Sequence, residues 1–296
     1  MAKALIIGMG IGKLYQDIYK KLRFDIVTVD SDPSKNADFA TVQLALKYCY
    51  SYSTVHICTP NYTHQEISEE VLDKADVDMM FIEKPGFIDK HHWVRFVMSH
   101  RNTRIMMVKN NMWRDNIDEL KNEAISADYV NIGWSNKNRI PHPGSWFTTQ
   151  RLSYGGVSRD LMPHLLSFYV ALNPNWETDP LIEKFSRRNY TLDEITGTDY
   201  GTVHTDGIYD VEDECSLEYG RKWNLFANWA NGELDDRSIN FVTYDKLNVN
   251  TFEFGLCPEV AYKNMIVSAT TRFADDKFWN NQLTIDTWIH SQIGLL

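Results

Sequence analysis

The first third of the chain alternates short apolar runs with segments of helical period. Residues 4–7 form an apolar run, and the next segment, 13–23, has helical spacing. Its Leu14, Ile18 and Leu22 share one face. The same alternation predicts strands at 24–30, 54–58, 79–82 and 104–109, helices at 61–75 and 89–100, and a short strand and helix within 36–53. Strands alternating with helices predict a parallel sheet, so we assign residues 1–112 to a doubly wound Rossmann dinucleotide-binding domain.

The pattern changes after residue 112. The spacing predicts helices at 115–126 and 157–171, a strand at 129–135 between them, and a polar loop over 136–154. Pro163 lies inside the second helix and is expected to kink it. Alternation in 223–229 and 239–244 then predicts strands, followed by closing helices at 259–272 and 281–292. Residues 113–296 are therefore predicted to form an α+β domain for substrate binding and oligomerisation, with a large, mostly antiparallel, open-faced sheet.

Composition and charge exclude several classes of protein. The formal charge of −10 disfavours a nucleic-acid binder, which needs a basic face. No apolar run is long enough to span a membrane, and no signal peptide is recognised at the start of the chain. The four cysteines lack CxxC spacing and the histidines lack HExxH, so no metal site is expected. Widely separated cysteines favour reduced thiols, and we expect a cytoplasmic protein.

A glycine-rich turn follows the first predicted strand. Gly8, Gly10 and Gly12, with Ile11 between the last two, stand where a dinucleotide fingerprint belongs, and a helix N-terminus there offers N–H groups to a pyrophosphate. The third glycine comes one residue earlier than in GxGxxG, and a plain strand-to-helix turn is the alternative interpretation.

An acidic residue at the end of the second predicted strand adds to this pattern. Asp30 follows Gly10 by twenty residues. A carboxylate there accepts hydrogen bonds from an adenosine ribose and repels a 2′-phosphate, which favours NAD over NADP. Asp32 is an alternative for the same role. A Walker A interpretation of Gly12 and Lys13 fails, because leucine replaces the serine or threonine that would bind magnesium.

The segment Glu83-Lys84-Pro85 closes the apolar run 79–82. In an open parallel sheet, ligands bind where strands end. The proline removes an N–H and fixes φ, which stops the strand and stiffens the backbone that carries Lys84. On its own this lysine is better explained as an ordinary solvated surface residue than as a catalytic one. The peptide bond between Lys84 and Pro85 is a candidate for the cis form.

A second cluster of chemically active residues follows Gly155 and Gly156. Asp160 and His164 are four residues apart and share one face if the segment is helical. A histidine beside a carboxylate can transfer protons near neutral pH. A surface ion pair or a buried structural histidine is the alternative for an isolated Asp-x-x-x-His.

The order of these motifs resembles that of the Gfo/Idh/MocA oxidoreductase family, which includes glucose–fructose oxidoreductase and inositol dehydrogenase. The likeness covers residues 3–171 and rests on four motifs in the same order. They are the glycine turn, Cys58-Thr59-Pro60-Asn61-Tyr62-Thr63-His64, Glu83-Lys84-Pro85 and the Gly-Gly…Asp-x-x-x-His segment.

The resemblance implies a role for each matching residue. Lys84 would polarise and position the substrate hydroxyl, and His164 would be the general acid/base. Asp160 would be the third catalytic residue, which helps to bind substrate and tunes its pair with His164. Lys84 would also lie near the nicotinamide. Asn111 matches a family asparagine on the substrate side. The residues implied to line the cofactor path are Cys58, Thr59, Pro60, Asn61, His64 and Glu83.

Three positions depart from the family pattern. The glycine loop is one residue short, Ser167 stands where an aspartate often follows the histidine, and Met162 replaces a small residue. None of these changes removes a proposed catalytic group, but they bear on affinity for substrate and cofactor.

Aromatic residues suggest a sugar site and an interface. Trp146, in the loop before the glycines, could stack on a sugar ring. Trp223 and Trp229 share a strand face, which is typical of a core or a subunit interface. The resemblance implies a homodimer or homotetramer formed through the sheet of the second domain.

The sequence thus predicts an NAD(H)-dependent oxidoreductase. It would move a hydride between the nicotinamide and a secondary alcohol or ketone of a sugar, cyclitol or nucleotide sugar. Two alternatives stay open: a double-bond reductase similar to biliverdin reductase on the same fold, and a non-catalytic NAD-binding regulatory protein.

Overall fold

The computed structural model describes residues 2–230, 235–245 and 248–296. The chain divides into two compact units. The first comprises Met1–Val108 and Tyr262–His290, and the second comprises Lys109–Ala261 and Ser291–Leu296. The sequence pattern instead assigned everything after residue 112 to one domain.

The first unit is built on a five-stranded parallel sheet in the order β2-β1-β3-β4-β5. This is the predicted doubly wound arrangement. Its elements in chain order are β1 (Lys3–Ile7), α1 (Gly12–Lys21), β2 (Asp25–Val29), α2 (Val42–Tyr48), β3 (Ser51–Ile57), α3 (His64–Lys74), β4 (Asp76–Ile82), α4 (Lys90–Ser99) and β5 (Arg104–Met107).

Apolar side chains bury the central strands of this sheet, as expected where a parallel sheet is covered on both faces. Leu5 and Val55 have no exposed surface. The ambiguous stretch 36–53 contains helix α2, and β3 begins three residues earlier than predicted. Tyr52 anchors that extension. Its side chain is buried, and its hydroxyl group donates a hydrogen bond to the carbonyl oxygen of Ala45 at 3.2 Å.

Helix α1 buries a different face from the one predicted. Tyr15, Ile18 and Tyr19 are fully buried, whereas Leu14 and Leu22 are only half-buried. Tyr15 and Tyr19 can be buried on this face because their hydroxyl groups form hydrogen bonds with polar groups beneath the helix. The Tyr19 hydroxyl lies 2.9 Å from Thr54 Oγ1 and 2.7 Å from His56 Nε2.

The second unit is built on a six-stranded sheet in the order β11-β10-β6-β9-β8-β7. All neighbouring strands are antiparallel except β6 and β9, so the predicted mostly antiparallel sheet is confirmed. Its elements are α5 (Ile117–Ser126), β6 (Tyr129–Ser135), α6 (Gln150–Ser153), α7 (Val157–Asp160), α8 (Met162–Leu172), β7 (Leu181–Arg187), β8 (Glu214–Tyr219), β9 (Trp223–Asn228), β10 (Asp236–Thr243) and β11 (Asn248–Glu253).

Three strands of this sheet, β7, β8 and β11, were not predicted. Six of the seven residues of β7 are exposed, so this edge strand lacks a buried apolar set that alternation could reveal. By contrast, β8 alternates buried and half-exposed positions, and Trp223 at the start of β9 is 2% exposed. The core interpretation therefore holds for Trp223.

The predicted helix 157–171 is two helices, α7 and α8, separated at Leu161. Pro163 stands in the first turn of α8, where its missing N–H breaks no helical hydrogen bond. The expected effect of this proline is thus an interruption of the helix, just before His164.

Two closing helices complete the chain, α9 (Glu259–Thr271) and α10 (Asp276–Ile293). Asp286 of α10 is fully buried and accepts a hydrogen bond from the backbone N–H of Met107 at 2.9 Å. The N–H of Phe87 donates to Nε2 of His290 at 3.2 Å. These bonds attach most of α10 to the first unit, although it follows the second along the chain. None of the described helices is long and apolar enough to cross a membrane.

The buried His56 makes the stability of the protein depend on pH. Burial lowers the pKa of His56 from 6.5 to about 3. Between these values the unfolded chain binds the proton and the folded chain does not, so the free energy of unfolding decreases as the pH falls below about 6.5. Between about pH 7 and about pH 5 we expect this histidine to lower the free energy of unfolding by about 2 kcal/mol.

The variant His56→Phe tests this expectation. Phenylalanine can keep the stacking on Phe81, whose ring lies 4.6 Å from that of His56, while Tyr19 keeps Thr54 as a partner. Urea unfolding at both pH values should show a smaller acid-induced loss for His56→Phe than for the wild type. His91→Asn, at an exposed position, is the control. An equal loss in His56→Phe and wild type would contradict the prediction.

Candidate functional site

The glycine turn after β1 brings three strand ends close together. Gly8 has φ +91° and donates its N–H to the carbonyl oxygen of Val29 at 2.8 Å. A Cβ at Gly8 would lie 2.5 Å from the carbonyl oxygen of Cys58, and one at Gly12 would lie 2.9 Å from Ile6 Cγ2. These two glycines are therefore required by the fold itself.

Gly10 differs from these two because a Cβ there would meet nothing within 4 Å among the described atoms. Its α-carbon thus faces open space next to the N-terminus of α1. Ile11, the N-cap residue of that helix, is 40% exposed and gives no side-chain hydrogen bond to the helix N–H groups. Open space beside a helix N-terminus that no side chain caps fits a pyrophosphate, in spite of the short glycine spacing, although the N–H groups of Lys13 and Leu14 already donate within the turn at 3.4 and 2.9 Å.

Asp30 links the end of β2 to this turn. Its Oδ2 accepts a hydrogen bond from the Met9 N–H at 2.6 Å, and its Oδ1 accepts one from the Asp32 N–H at 2.9 Å. Each carboxylate oxygen has a further lone pair, so both can still accept from a ribose hydroxyl. Asp32 instead caps the short turn that follows, and hydrogen bonds from Ser34 lower the pKa of Asp32. Between the two candidates, the geometry favours Asp30.

The segment after β3 is held by a buried histidine. His64 has no exposed surface, and its Nδ1 and Nε2 each lie 2.8 Å from a carbonyl oxygen, of Gly86 and Thr59 respectively. Burial lowers the pKa of His64. His64 thus joins the loop after β3 to the loop after β4, which positions the half-exposed Cys58, Thr59, Pro60 and Asn61 beside the glycine turn.

Glu83 fixes the end of β4. Its Oε1 accepts a hydrogen bond from the hydroxyl of Tyr15 at 2.6 Å, and burial raises the pKa of both groups. The next residue, Lys84, is half-exposed at the carboxyl end of the strand, and its peptide bond to Pro85 is cis, as predicted. Tyr15 was missed from the sequence because a tyrosine on a helix face carries no local sign of its partner.

The second unit contains a cavity of about 130 Å³. Asp160 and His164 both line it, so the break before α8 leaves the two predicted residues in one cavity. The other described residues in its lining are Trp134, Asn136, Arg139, Pro141, Leu161, Tyr200 and Leu256.

Asp160 and His164 are each held by neighbours. The Trp229 indole N–H donates to Asp160 Oδ2 at 3.0 Å, and Trp229 is 1% exposed. The imidazole ring of His164 lies 5.5 Å from the ring of Trp134. The carbonyl oxygen of His164 accepts a hydrogen bond from Ser167 Oγ at 2.7 Å. Ser167, a departure from the family pattern, thus supports the backbone of the histidine.

Asn111 is buried next to the same histidine. Its Nδ2 donates to the His164 carbonyl oxygen at 3.3 Å, and its Oδ1 accepts from Arg114 Nε at 3.0 Å. Both ends of the side chain are therefore engaged within the protein, which suits a positioning residue better than a direct substrate contact. Trp146 was predicted to stack on a sugar ring. In the structure its ring stacks on that of Phe147, with 3.8 Å between the ring centres, and it is not among the described residues that line the cavity.

The two glycines before α7 have a structural reason, since Gly155 has φ +146° and Gly156 lies against the backbone of Glu212. A Cβ on Gly156 would lie only 1.9 Å from the carbonyl oxygen of Glu212. The Glu212 carboxylate accepts hydrogen bonds from the N–H groups of Gly156 and Ser158 at 2.8 and 3.0 Å. This close approach fastens the start of α7, and so the backbone that leads to Asp160.

Sequence reasoning did not single out the other lining residues as part of a site, among them Arg139 and Tyr200, which lie outside the predicted motifs. Trp229 was recognised only as a core or interface residue on an alternating strand, and its bond to Asp160 was not foreseen. No group of three or more His, Cys, Asp or Glu side chains in the described part of the chain could hold a metal ion.

Comparisons with known proteins show similarity in structure alone. No family model matches the chain, and no curated protein matches it. GenD2 from gentamicin A biosynthesis, in complex with NAD, superposes with a TM-score of 0.75 at 14% identity, covering 99% of this chain and 92% of that one.

Two sugar and cyclitol enzymes give similar matches. Levoglucosan dehydrogenase in complex with NADH and levoglucosan has a TM-score of 0.70 at 14% identity, covering 99% of this chain and 96% of that one. An inositol dehydrogenase homologue from Azotobacter vinelandii, complexed with NAD⁺, has a TM-score of 0.70 at 13% identity. The match covers 99% of this chain and 93% of that one. At these identities the likeness establishes the fold, and the predicted two-part α/β architecture is confirmed.

Proposed function

We propose that this protein is an NAD(H)-dependent oxidoreductase of the Gfo/Idh/MocA type that acts on a secondary alcohol or ketone of a sugar-like molecule. The observation that carries the proposal is the cavity lined by both Asp160 and His164. The fold supports it, since structures with this fold were crystallised with NAD, with NADH and levoglucosan, and with NADH and myo-inositol.

The first unit is proposed to hold the cofactor. The open space at Gly10 and the uncapped N-terminus of α1 suit a pyrophosphate. Asp30 accepts ribose hydroxyl groups and disfavours a 2′-phosphate by charge repulsion, so NAD is preferred to NADP. The nicotinamide, when bound, accepts or returns a hydride.

The chain's own residues are proposed to handle the proton and the substrate. The Lys84 ammonium polarises the hydroxyl, and His164 takes its proton as a general base or returns it as a general acid in the reverse direction. Asp160 binds substrate beside His164, and its carboxylate is oriented by the Trp229 indole. Asn111 and Ser167 hold the backbone carbonyl of His164 and thereby limit movement of the catalytic histidine.

Self-association through the sheet of the second unit is also part of the proposal. Along β8 the less buried positions are Glu214, Ser216 and Glu218, and Asn224 of β9 donates to Asn131 Oδ1 of β6 at 2.7 Å. A partner on this open face would therefore meet a largely polar surface. The mass in solution, measured by light scattering, tests this.

Thermal unfolding with NAD and with NADP tests the cofactor proposal directly. A ligand that binds only the folded state at about 100 times its Kd stabilises it by about 2.7 kcal/mol. We expect NAD to raise Tm more than NADP, and reduced nicotinamide to form with a sugar or cyclitol substrate. An absence of stabilisation by either nucleotide would contradict the proposal. NAD binding without turnover across a broad panel would favour the regulatory alternative.

A further inference from the structure

Arg139 lines the cavity but has no part in the proposed proton transfer. The guanidinium carbon of Arg139 lies 5.2 Å from the centre of the Tyr200 ring, and both side chains line the cavity with Asp160 and His164. Within the described ranges, the guanidinium of Arg139 makes no hydrogen bond or ion pair. Stacking on an aromatic ring fixes its plane and leaves its N–H donors for another acceptor.

A second arginine, Arg237, contacts two residues of the cavity wall but does not itself line the cavity. The guanidinium carbon of Arg237 is 5.0 Å from the centre of the Trp134 ring, and its Nη2 donates to Asn136 Oδ1 at 3.3 Å. Both Trp134 and Asn136 line the same cavity. The Nε of Arg237 is buried and has no acceptor among the residues that the structure describes.

The two guanidinium groups are close enough to affect each other. Burial and, next, the positive charge of Arg139 lower the pKa of Arg237, while Asp235 acts in the opposite direction. Asp235 Oδ1 already accepts a hydrogen bond from the Lys137 N–H at 2.8 Å. Asp160, which also lines the cavity, accepts a hydrogen bond from the Trp229 indole N–H. Among the described residues that line the cavity, Arg139 is the arginine and Asp160 the carboxylate, and no ion pair joins the two, so the charge of Arg139 is not neutralised within this lining.

A neutral polyol forms no ion pair with the guanidinium group of Arg139. An oxyanion does, because a planar guanidinium binds carboxylate or phosphate oxygens through parallel charge-assisted hydrogen bonds. The cavity volume of 130 Å³ equals that of about four water molecules, which is room for an acid group and its neighbouring carbon atoms.

We propose that the substrate carries an oxyanion, a carboxylate or a phosphate, which Arg139 binds directly and Arg237 supports. The inference rests on the proposed function and narrows its substrate class from sugar-like molecules in general to those that carry an acid group, sugar acids or sugar phosphates. Anchoring of the acid group would set which hydroxyl of the substrate meets His164.

Matched ligands test the oxyanion site without requiring turnover. Glucose, glucuronate and glucose 6-phosphate share one ring and differ at one carbon. Acetate and inorganic phosphate report on the acid group alone. Thermal unfolding at constant ionic strength should show stabilisation of the wild type by at least one of these acids and not by glucose. The preferred acid identifies carboxylate or phosphate as the source.

Arginine variants show whether the stabilisation comes from this cavity. Arg139→Gln should weaken binding of the preferred acid by about 10- to 100-fold, the range expected for hydrogen bonds to a charged group. Arg139→Lys should retain part of it, since lysine keeps the charge but lacks the planar fork. Arg151→Gln, at an exposed position of α6, is the control and should bind the acid as the wild type does.

The possible results separate the two proposals. Equal binding of acid and glucose, no stabilisation by any of these anions, or unchanged acid binding in Arg139→Gln would overturn the oxyanion site. Acid binding through Arg139 without NAD binding or hydride transfer would overturn the proposed function and keep the site. Turnover of neutral polyols that is unaffected by Arg139→Gln would overturn the oxyanion site and keep the proposed function.

Discussion

The variant His164→Asn is expected to lose about 10²- to 10⁴-fold in kcat for alcohol oxidation, with NAD binding unchanged. Asparagine can still form hydrogen bonds but cannot accept and pass on a proton near neutral pH. The residue lines the cavity with Asp160, and its backbone is held by Asn111 and Ser167, so the substitution should leave the local fold intact. Steady-state kinetics together with NAD titration measure both effects.

A second histidine and the lysine complete this test. His91→Asn, exposed on α4, should leave kcat at the wild-type value. Lys84→Met removes the charge and keeps the length of the stem, so it should also lower kcat strongly. If His164 and Lys84 act on the same hydroxyl, their losses should be less than additive in the double variant. Wild-type turnover in the double variant would rule out the proposed mechanism.

The variant Gly10→Ala is expected to weaken NAD binding by about 10- to 100-fold, since a methyl group there would occupy the space proposed for the pyrophosphate. Its effect on stability should stay within about 0.5 kcal/mol, because the new Cβ would meet no described atom within 4 Å. Calorimetric titration with NAD and urea unfolding measure the two quantities separately.

Two other glycines serve as controls for Gly10. A Cβ at Gly197 also meets nothing within 4 Å, so Gly197→Ala should change neither NAD binding nor stability. Gly8→Ala should destabilise the protein, because φ is +91° and the new Cβ would lie 2.5 Å from a backbone oxygen. Tight NAD binding by a folded Gly10→Ala variant would show that the glycine turn does not hold the pyrophosphate.

Much of the candidate site could be predicted because its chemistry is encoded locally. Lys84 follows a short apolar run and precedes a proline, and both neighbours are visible in the sequence. The interruption before His164 follows from the missing N–H of Pro163, wherever the helix packs. By contrast, the partner of Glu83 is Tyr15, 68 residues away along the chain, and no spacing rule connects the two.

The sequence by itself determined the alternation of strands and helices, the glycine turn, the position of Lys84 at a strand end, and the four-residue spacing of Asp160 and His164. These features follow from backbone and side-chain preferences over a few residues. Only the tertiary structure decided that 262–290 pack with the first unit and that Arg139 lies in the cavity with His164. It also decided that Gly156 must approach the backbone of Glu212. Such contacts join residues far apart in the chain, and their energies depend on burial and partner geometry, which no local pattern records.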